Sequence, residues 1–285
     1  MAHRILFRKD TPYQRITVAE NPSGTHRYLY SSGRDEKQGG MYLDNPSRLY
    51  FEYCRLLLVS LAFLDREPRD MLFVGLGAGS LPSYIHRHFP SARVDVAELD
   101  GEVVEVAKRF FRFREDRRMK VCVSDGRSFL RSCRRSYDIV FLDAYQVNDI
   151  PYHLSTLEFL REVRDRLSEG GVAASNIVGP EKNPAFGSMV ATYKRAFPHI
   201  YVFEGMSSYN NVVVASTRRV SRGALARRAL LIQRQRRLDV RLHKMVSRPF
   251  RSPRPRGGEK VLRDAEAPGG GVSLSGDSIS RLSSR

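Results

Sequence analysis

The chain has 285 residues, room for one ample α/β core plus appendages, and its 41% hydrophobic and 10% aromatic content is that of an ordinary globular protein rather than a disordered or fibrous one. Its net charge of +17 is unevenly placed: residues 217–285 carry 18 Lys and Arg against 5 Asp and Glu, while residues 1–216 carry 30 against 26. The basic character belongs to a tail, and the remainder is nearly neutral.

Residues 13–18 and 27–30 alternate apolar and polar side chains, with turn signals at 21–24 and 32–33, which predicts small antiparallel strands. Asn45-Pro46-Ser47 is read as opening a helix whose buried face carries Leu49, Tyr53, Leu56, Leu57 and Leu61. From Asp70 the style changes. Residues 71–74 form a continuous apolar run ending in glycines, as expected of a parallel strand buried on both faces. Helix 81–88, strand 93–99, helix 101–111, strand 120–124, a short helix at 127–132, strand 137–142, helix 156–167 and strand 172–177 follow. This alternation predicts a Rossmann-like, doubly wound, mostly parallel sheet with right-handed crossovers. After a helix near 184–196, strands 200–204 and 211–216 have no helix between them and are expected to pair antiparallel at one sheet edge. Residues 221–245 can form a basic helix with Leu225, Leu230, Leu231 and Leu238. Beyond Pro249 the chain has too few apolar groups to fold alone. The expected organisation is a small N-terminal β domain (1–48), a nucleoside-binding catalytic domain (49–216), and a basic tail (217–285), partly helical and then disordered.

Cys54, Cys122 and Cys133 form no CxxC pair, so neither a disulfide framework nor a structural zinc site is expected, and a reducing cytoplasm fits. The apolar run 56–64, interrupted by Ser60, is far shorter than the ~20 residues of a membrane span. Arg4, Arg8 and Lys9 precede no long apolar segment, so neither a secretory signal nor membrane association is expected.

Ligands of open parallel sheets sit at the carboxyl ends of the strands. The first strand leads into Gly75-Leu76-Gly77-Ala78-Gly79, where missing Cβ atoms let backbone approach a ligand. A dinucleotide fingerprint needs Gly or Ala at position 80, which is Ser80; the spacing is that of adenosylmethionine-type sites. The second strand ends in Glu98-Leu99-Asp100. Glu98 lies 19 residues beyond Gly79, near the interval at which an acid meets ribose hydroxyls, and Asp100 is the nearby competitor. Asp125-Gly126 after the third strand reads either as an adenine contact or as a turn. Asp143 after the fourth reads as a base for an amine nucleophile or as a helix cap. His153 lies just beyond that loop, as a pocket residue or a bystander. His86 and His88, spaced i and i+2, do not share a helix face and are read as surface residues, so no metal is expected.

Residues from about Pro12 to Ser216 resemble the polyamine aminopropyltransferases, the spermidine synthase family. The matching landmarks are Tyr13-Gln14-Arg15-Ile16, Gln38, Tyr50 with Glu52, the glycine loop, Val96-Ala97-Glu98-Leu99-Asp100, Asp125-Gly126, Asp143, and the run from Asn211 to Ser216. The resemblance implies that Gln38, Glu98, Asp125 and Gly126 hold the nucleoside of a decarboxylated adenosylmethionine co-substrate. It implies that Asp143 takes the proton of an attacking small-molecule amine, and that a small β domain precedes the Rossmann-like one. Tyr50, Glu52, Ala78, Tyr145, Gln146 and His153 would line the acceptor pocket. The family's Gly-Gly-Gly-Asp-Gly loop has Ala78 in place of its aspartate here, its Tyr-His-Glu element is Tyr50-Phe51-Glu52, and its Asp-x-x-Asp element is Asp143-Ala144-Tyr145-Gln146. Nucleoside-side residues are kept and amine-side acids are lost; Asp149 has the wrong spacing to stand in. The glycine loop through Pro82, with His86 and Phe89-Pro90, also looks like methyltransferase-like proteins of the same sheet, so adenosylmethionine-dependent methyl transfer is the second expectation. A non-catalytic nucleoside- or RNA-binding protein is the third. A homodimer, and nucleic-acid or acidic-surface binding by the tail, stay open.

Overall fold

The computed structural model describes residues 3–31, 37–145, 150–248 and 259–267. Four antiparallel strands, β1 (Arg4–Asp10), β2 (Arg15–Glu20), β3 (His26–Tyr30) and β4 (Lys37–Tyr42), form a meander in sequence order. Two more strands are present than the alternation of residues 13–30 predicted. The helix expected at Asn45 begins later, as α1 (Glu52–Leu57), and continues as a 3-10 helix, Leu58–Phe63. Local bonds, Ser47 Oγ to Asn45 Oδ1 at 2.8 Å and Arg48 N–H to the Asn45 carbonyl at 3.1 Å, spend residues 45–48 on a turn. Leu49 instead bridges Met41 of the small sheet.

The central sheet contains β5 (Asp70–Val74), β6 (Arg93–Glu98), β7 (Met119–Val123), β8 (Tyr137–Leu142), β9 (Leu167–Val178), β10 (His199–Glu204) and β11 (Asn210–Ser216). Its order is β10-β11-β9-β8-β5-β6-β7. The first five strands run parallel, while β11 is antiparallel to both β9 and β10, the edge pairing expected from the missing helix. Helices α2 (Ser80–His88), α3 (Gly101–Phe110), α4 (Gly126–Ser132), α5 (Leu157–Asp165) and α6 (Phe186–Ala196) make the crossovers. Because β6 and β7 leave β5 on one side and β8 and β9 on the other, the order reverses between β5 and β8. That crevice is where such sheets bind ligands.

Two apolar clusters lie on the sheet's faces. One gathers the 3-10 helix with α2, α3 and the small sheet; the other gathers α5 and α6. The first also includes α7 (Arg222–Gln235) and α8 (Leu242–Val246). Leu225, Ala229 and Leu242 are fully buried there, so the helical part of the segment read as a basic tail is packed into the core. The reason is the 3-10 helix, buried all round and apolar but for Ser60: with one side on β9, its other side needs α7 and α8. Residues 259–267 return as a strap over α5 and α6. The Leu157 N–H reaches the Leu262 carbonyl at 2.8 Å, and the Leu262 N–H reaches Thr192 Oγ1 at 2.9 Å. The rest of the segment read as disordered past Pro249 lies outside the described residues.

Candidate active site

One cleft of about 1020 Å³ opens over the switch point, walled by the strand ends of the central sheet and by β4. Its floor is the loop after β5. Gly75, Gly77 and Gly79 all have positive φ, at 99°, 55° and 70°, a region open mainly to glycine. A Cβ on Gly75 would lie 2.4 Å from the Asp143 carbonyl, so the loops after β5 and β8 can touch only because that atom is absent. A Cβ on Gly77 would meet only the Gln38 carbonyl, at 3.5 Å, and Gln38 lines the same cleft from β4. Ala78 is buried, and a methyl group on Gly39 would stand 2.5 Å from its Cβ.

Glu98 ends β6 with Oε2 accepting the Leu76 N–H at 2.8 Å and Oε1 the Asp100 N–H at 3.0 Å. Burial nonetheless raises its carboxyl above the usual range, against these two backbone donors. Each oxygen keeps a lone pair for a further donor. Asp100, the competitor, is the N-cap of α3: it accepts the Glu102 N–H at 3.0 Å and the Thr11 hydroxyl at 2.7 Å, so it ties the small sheet to the large one.

Asp125 caps α4 by accepting the Ser128 N–H at 2.9 Å, and its other oxygen meets His153 Nε2 at 2.7 Å. Burial would raise this carboxyl, but the His153 and Ser128 donors hold it below the usual range. The two residues, read separately in the sequence, are one pair. Gly126 packs where a Cβ would meet Val74 at 2.3 Å.

Asp143 follows β8 at the crevice. Burial pushes its carboxyl up to about 7, against hydrogen bonds from Asn176 and Tyr53. Asn176 Nδ2 donates to Asp143 Oδ1 at 2.9 Å, and Asn210 Nδ2 donates to Asn176 Oδ1 at 3.0 Å. Tyr145 donates its hydroxyl to the Asn176 carbonyl at 3.0 Å, so β9 and β11 together fix the side chain beside Asp143. The sequence reading missed Asn176 and Tyr53; the signal available was a polar Ser175-Asn176 pair inside the apolar run of β9.

Tyr50 packs its ring where a Cβ on Gly40 would stand 2.5 Å away, and its hydroxyl meets that of Tyr28 at 3.2 Å. Glu52 reaches the loop between β10 and β11. It accepts the Met206 N–H at 3.1 Å, the Ser207 N–H at 2.7 Å and the Ser207 hydroxyl at 2.6 Å. Burial would raise it, but these donors and Arg248 hold it below the usual carboxylate range. It is a loop clamp as well as a lining residue. Gln146, with Asp149, lies outside the described residues. His86 meets Asp116 at 3.1 Å and His88 Nδ1 donates to the Arg236 carbonyl at 3.0 Å, each with its own partner.

The crevice therefore belongs to a Rossmann-like transferase of the fold shared by spermidine synthases and methyltransferase-like proteins. Residues 50–203 match the spermine/spermidine synthase domain, and the chain belongs to that family. A polyamine aminopropyltransferase of Vibrio vulnificus is 31% identical over 216 residues, covering 74% of this chain and 71% of that protein. The crystal structure of human methyltransferase-like protein 13 in complex with SAH superposes with a TM-score of 0.61 at 27% identity, covering 67% of this chain and 94% of that one. A spermidine synthase in complex with the transition-state analogue AdoDATO gives 0.62 at 22%, over 75% and 74%, a likeness of fold.

Proposed function

We propose that this protein transfers the aminopropyl group of decarboxylated adenosylmethionine to an amine, releasing methylthioadenosine. The observation that carries the reading is Asp143, a cleft carboxylate at the switch point whose proton affinity lies near neutrality. The amine nitrogen attacks the carbon next to the sulfonium, the C–S bond breaks, and sulfur takes the electron pair as a neutral thioether. The proton that nitrogen loses goes to Asp143. The donor supplies its own leaving group, so the protein contributes position and one base. Glu98 takes the ribose hydroxyls, Asp125 and Gly126 the adenine edge, and the backbone at Gly75, Gly77 and Gly79 the sulfonium side, with Gln38 closing over them.

Methyl transfer from intact adenosylmethionine is the second reading, favoured by one observation: Ala78 stands where the family's loop has an acid for the aminopropyl ammonium. Product analysis with both donors and a panel of amines separates the two. Methylthioadenosine formation from the decarboxylated donor is expected, with Asp143→Asn slower by ~10²-fold or more. Methylated product from the intact donor, without methylthioadenosine from the other, would replace the first reading by the second.

A further inference from the structure

In the acceptor arm of the cleft, away from Glu98 and Asp125, the acids are committed to the protein itself. Glu52 is held by Met206, Ser207 and Arg248, and Ala78 replaces an acid outright. Two ammonium groups stand in the same cleft. Lys37 Nζ lies 3.8 Å from the centroid of the Tyr28 ring, and Lys182 Nζ lies 4.2 Å from that of Tyr209. Among the described residues neither makes an ion pair. A cation on a tyrosine face is held weakly and keeps its donors for a stronger partner. Asp143, the remaining open acid among the described residues of this arm, is spoken for as the base. Among the described residues, an alkyl diammonium entering this arm meets two cations and no free carboxylate, whereas an amine that also bears an anion meets two unneutralised lysines.

We propose, resting on the aminopropyl-transfer reading, that the acceptor is an amine carrying a carboxylate, an amino acid rather than a diamine, with that carboxylate met by Lys37 and Lys182. The attacking amine keeps its place beside Asp143, so the chemical step and its proton transfer are those already written. Lys37 and Lys182 are specificity-determining residues: they select the acceptor and take no part in bond making.

The test is calorimetry on the full chain loaded with methylthioadenosine, at fixed near-physiological salt, with three related compounds: 1,5-diaminopentane, lysine (the same diamine carrying a carboxylate) and 5-aminopentanoate (one ammonium exchanged for a carboxylate). The two carboxylated compounds are expected to bind at least tenfold more tightly than the diamine. That preference should fall to within a few fold in Lys37→Gln combined with Lys182→Gln, with the melting temperature unchanged. A diamine binding as tightly as the acids overturns the proposal, and so does a preference that survives both substitutions. Undetectable binding of both carboxylated compounds overturns it too. If the lysine substitutions weaken intact adenosylmethionine instead, the carboxylate belongs to the donor and the acceptor assignment fails. Because the readout is binding, it is distinct from the failure of aminopropyl transfer, which is read as no methylthioadenosine from the decarboxylated donor with any amine.

Discussion

A carboxylate that has given up most of its water, and keeps Asn176 and Tyr53 as donors, holds its proton up to about pH 7. As the proposed base, Asp143 must be ionised to accept from the amine, so kcat/KM should climb with pH through about 7 and level above it. A wild-type profile flat from pH 6 to 9 would remove it from that role. The same shift has a stability consequence of definite sign. The folded value lies above the unfolded ~3.9, so the stabilisation is whole below about pH 4 and is lost as pH rises through about 7. Asp143→Asn carries no such loss, and its melting temperature relative to wild type should rise between pH 4 and pH 8 while its turnover falls. A difference independent of pH would mean that the carboxyl is not perturbed. Glu98 makes a separate prediction. Replacing it by Gln sets an amide against the Leu76 and Asp100 N–H groups and takes a charged acceptor from the ribose. Each such bond is worth ~1.5–3 kcal/mol, so methylthioadenosine affinity should drop at least tenfold with the fold retained. Wild-type affinity in calorimetry would put the ribose elsewhere.

Among the elements, the strap 259–267 and the pair α7 and α8 explain why the end of the described chain is not an appendage. Arg127, nearly buried, is clasped on both sides: Nη2 lies 2.7 Å from Glu162 and 2.7 Å from Asp264 of the strap. The strap also takes the Tyr152 hydroxyl on the Arg263 carbonyl at 3.0 Å, one residue from His153. Asp264→Ala should cost about 1–2 kcal/mol rather than the ~3–5 of a fully enclosed pair, since Asp264 stays 40% exposed and Glu162 remains. Truncation after residue 216 should do far more. It uncovers the 3-10 helix and removes Leu225 and Leu242, each worth ~1.5–3 kcal/mol of burial, so the product should aggregate or melt far below the full chain. A truncated chain that melts like the intact one would show that α7 and α8 carry no weight in the core.

For the molecule as a whole, the parallel sheet was legible because its central strands β5 and β8 hold continuous apolar runs that end in glycine or acid, as in Val74-Gly75 and Leu142-Asp143. Burial on both faces favours such runs in these two strands. The N-terminal sheet was half legible: β1 is largely exposed and β4 carries Gly39 and Gly40, whose role is to admit Ala78 and Tyr50, a tertiary demand without local signal. The docking of α7 was illegible for a similar reason. Its exposed arginines dominate the composition, two of its leucines, Leu230 and Leu231, face out, and its one buried leucine, Leu225, packs in the cluster with a 3-10 helix some 160 residues earlier. At the site, the strand-end acids could be located because their positions follow from the sheet, whereas Asn176, Tyr53 and the Asp125–His153 pair depend on side chains converging from elements far apart in the chain. Charge is the other property of the whole. Residues 217–248 contain 11 Lys and Arg against one acid, Asp239. Retention on an immobilised polyanion should therefore weaken steeply with salt. It should weaken further when Arg234, Arg237 and Arg241, all exposed, are replaced by Gln, with melting unchanged. Equal retention of the two proteins would place the binding charge outside α7 and α8.

The clasp on Arg127 also sets a schedule. Asp264 is made 137 residues after its partner. At ~5–20 residues per second, translation separates the two by roughly 7–27 s. Every strand of the central sheet has been synthesised by Ser216, well inside that interval. A polypeptide released early would thus own a finished sheet and an unlatched wall beside His153, so completion of the cleft is among the last events of its biogenesis.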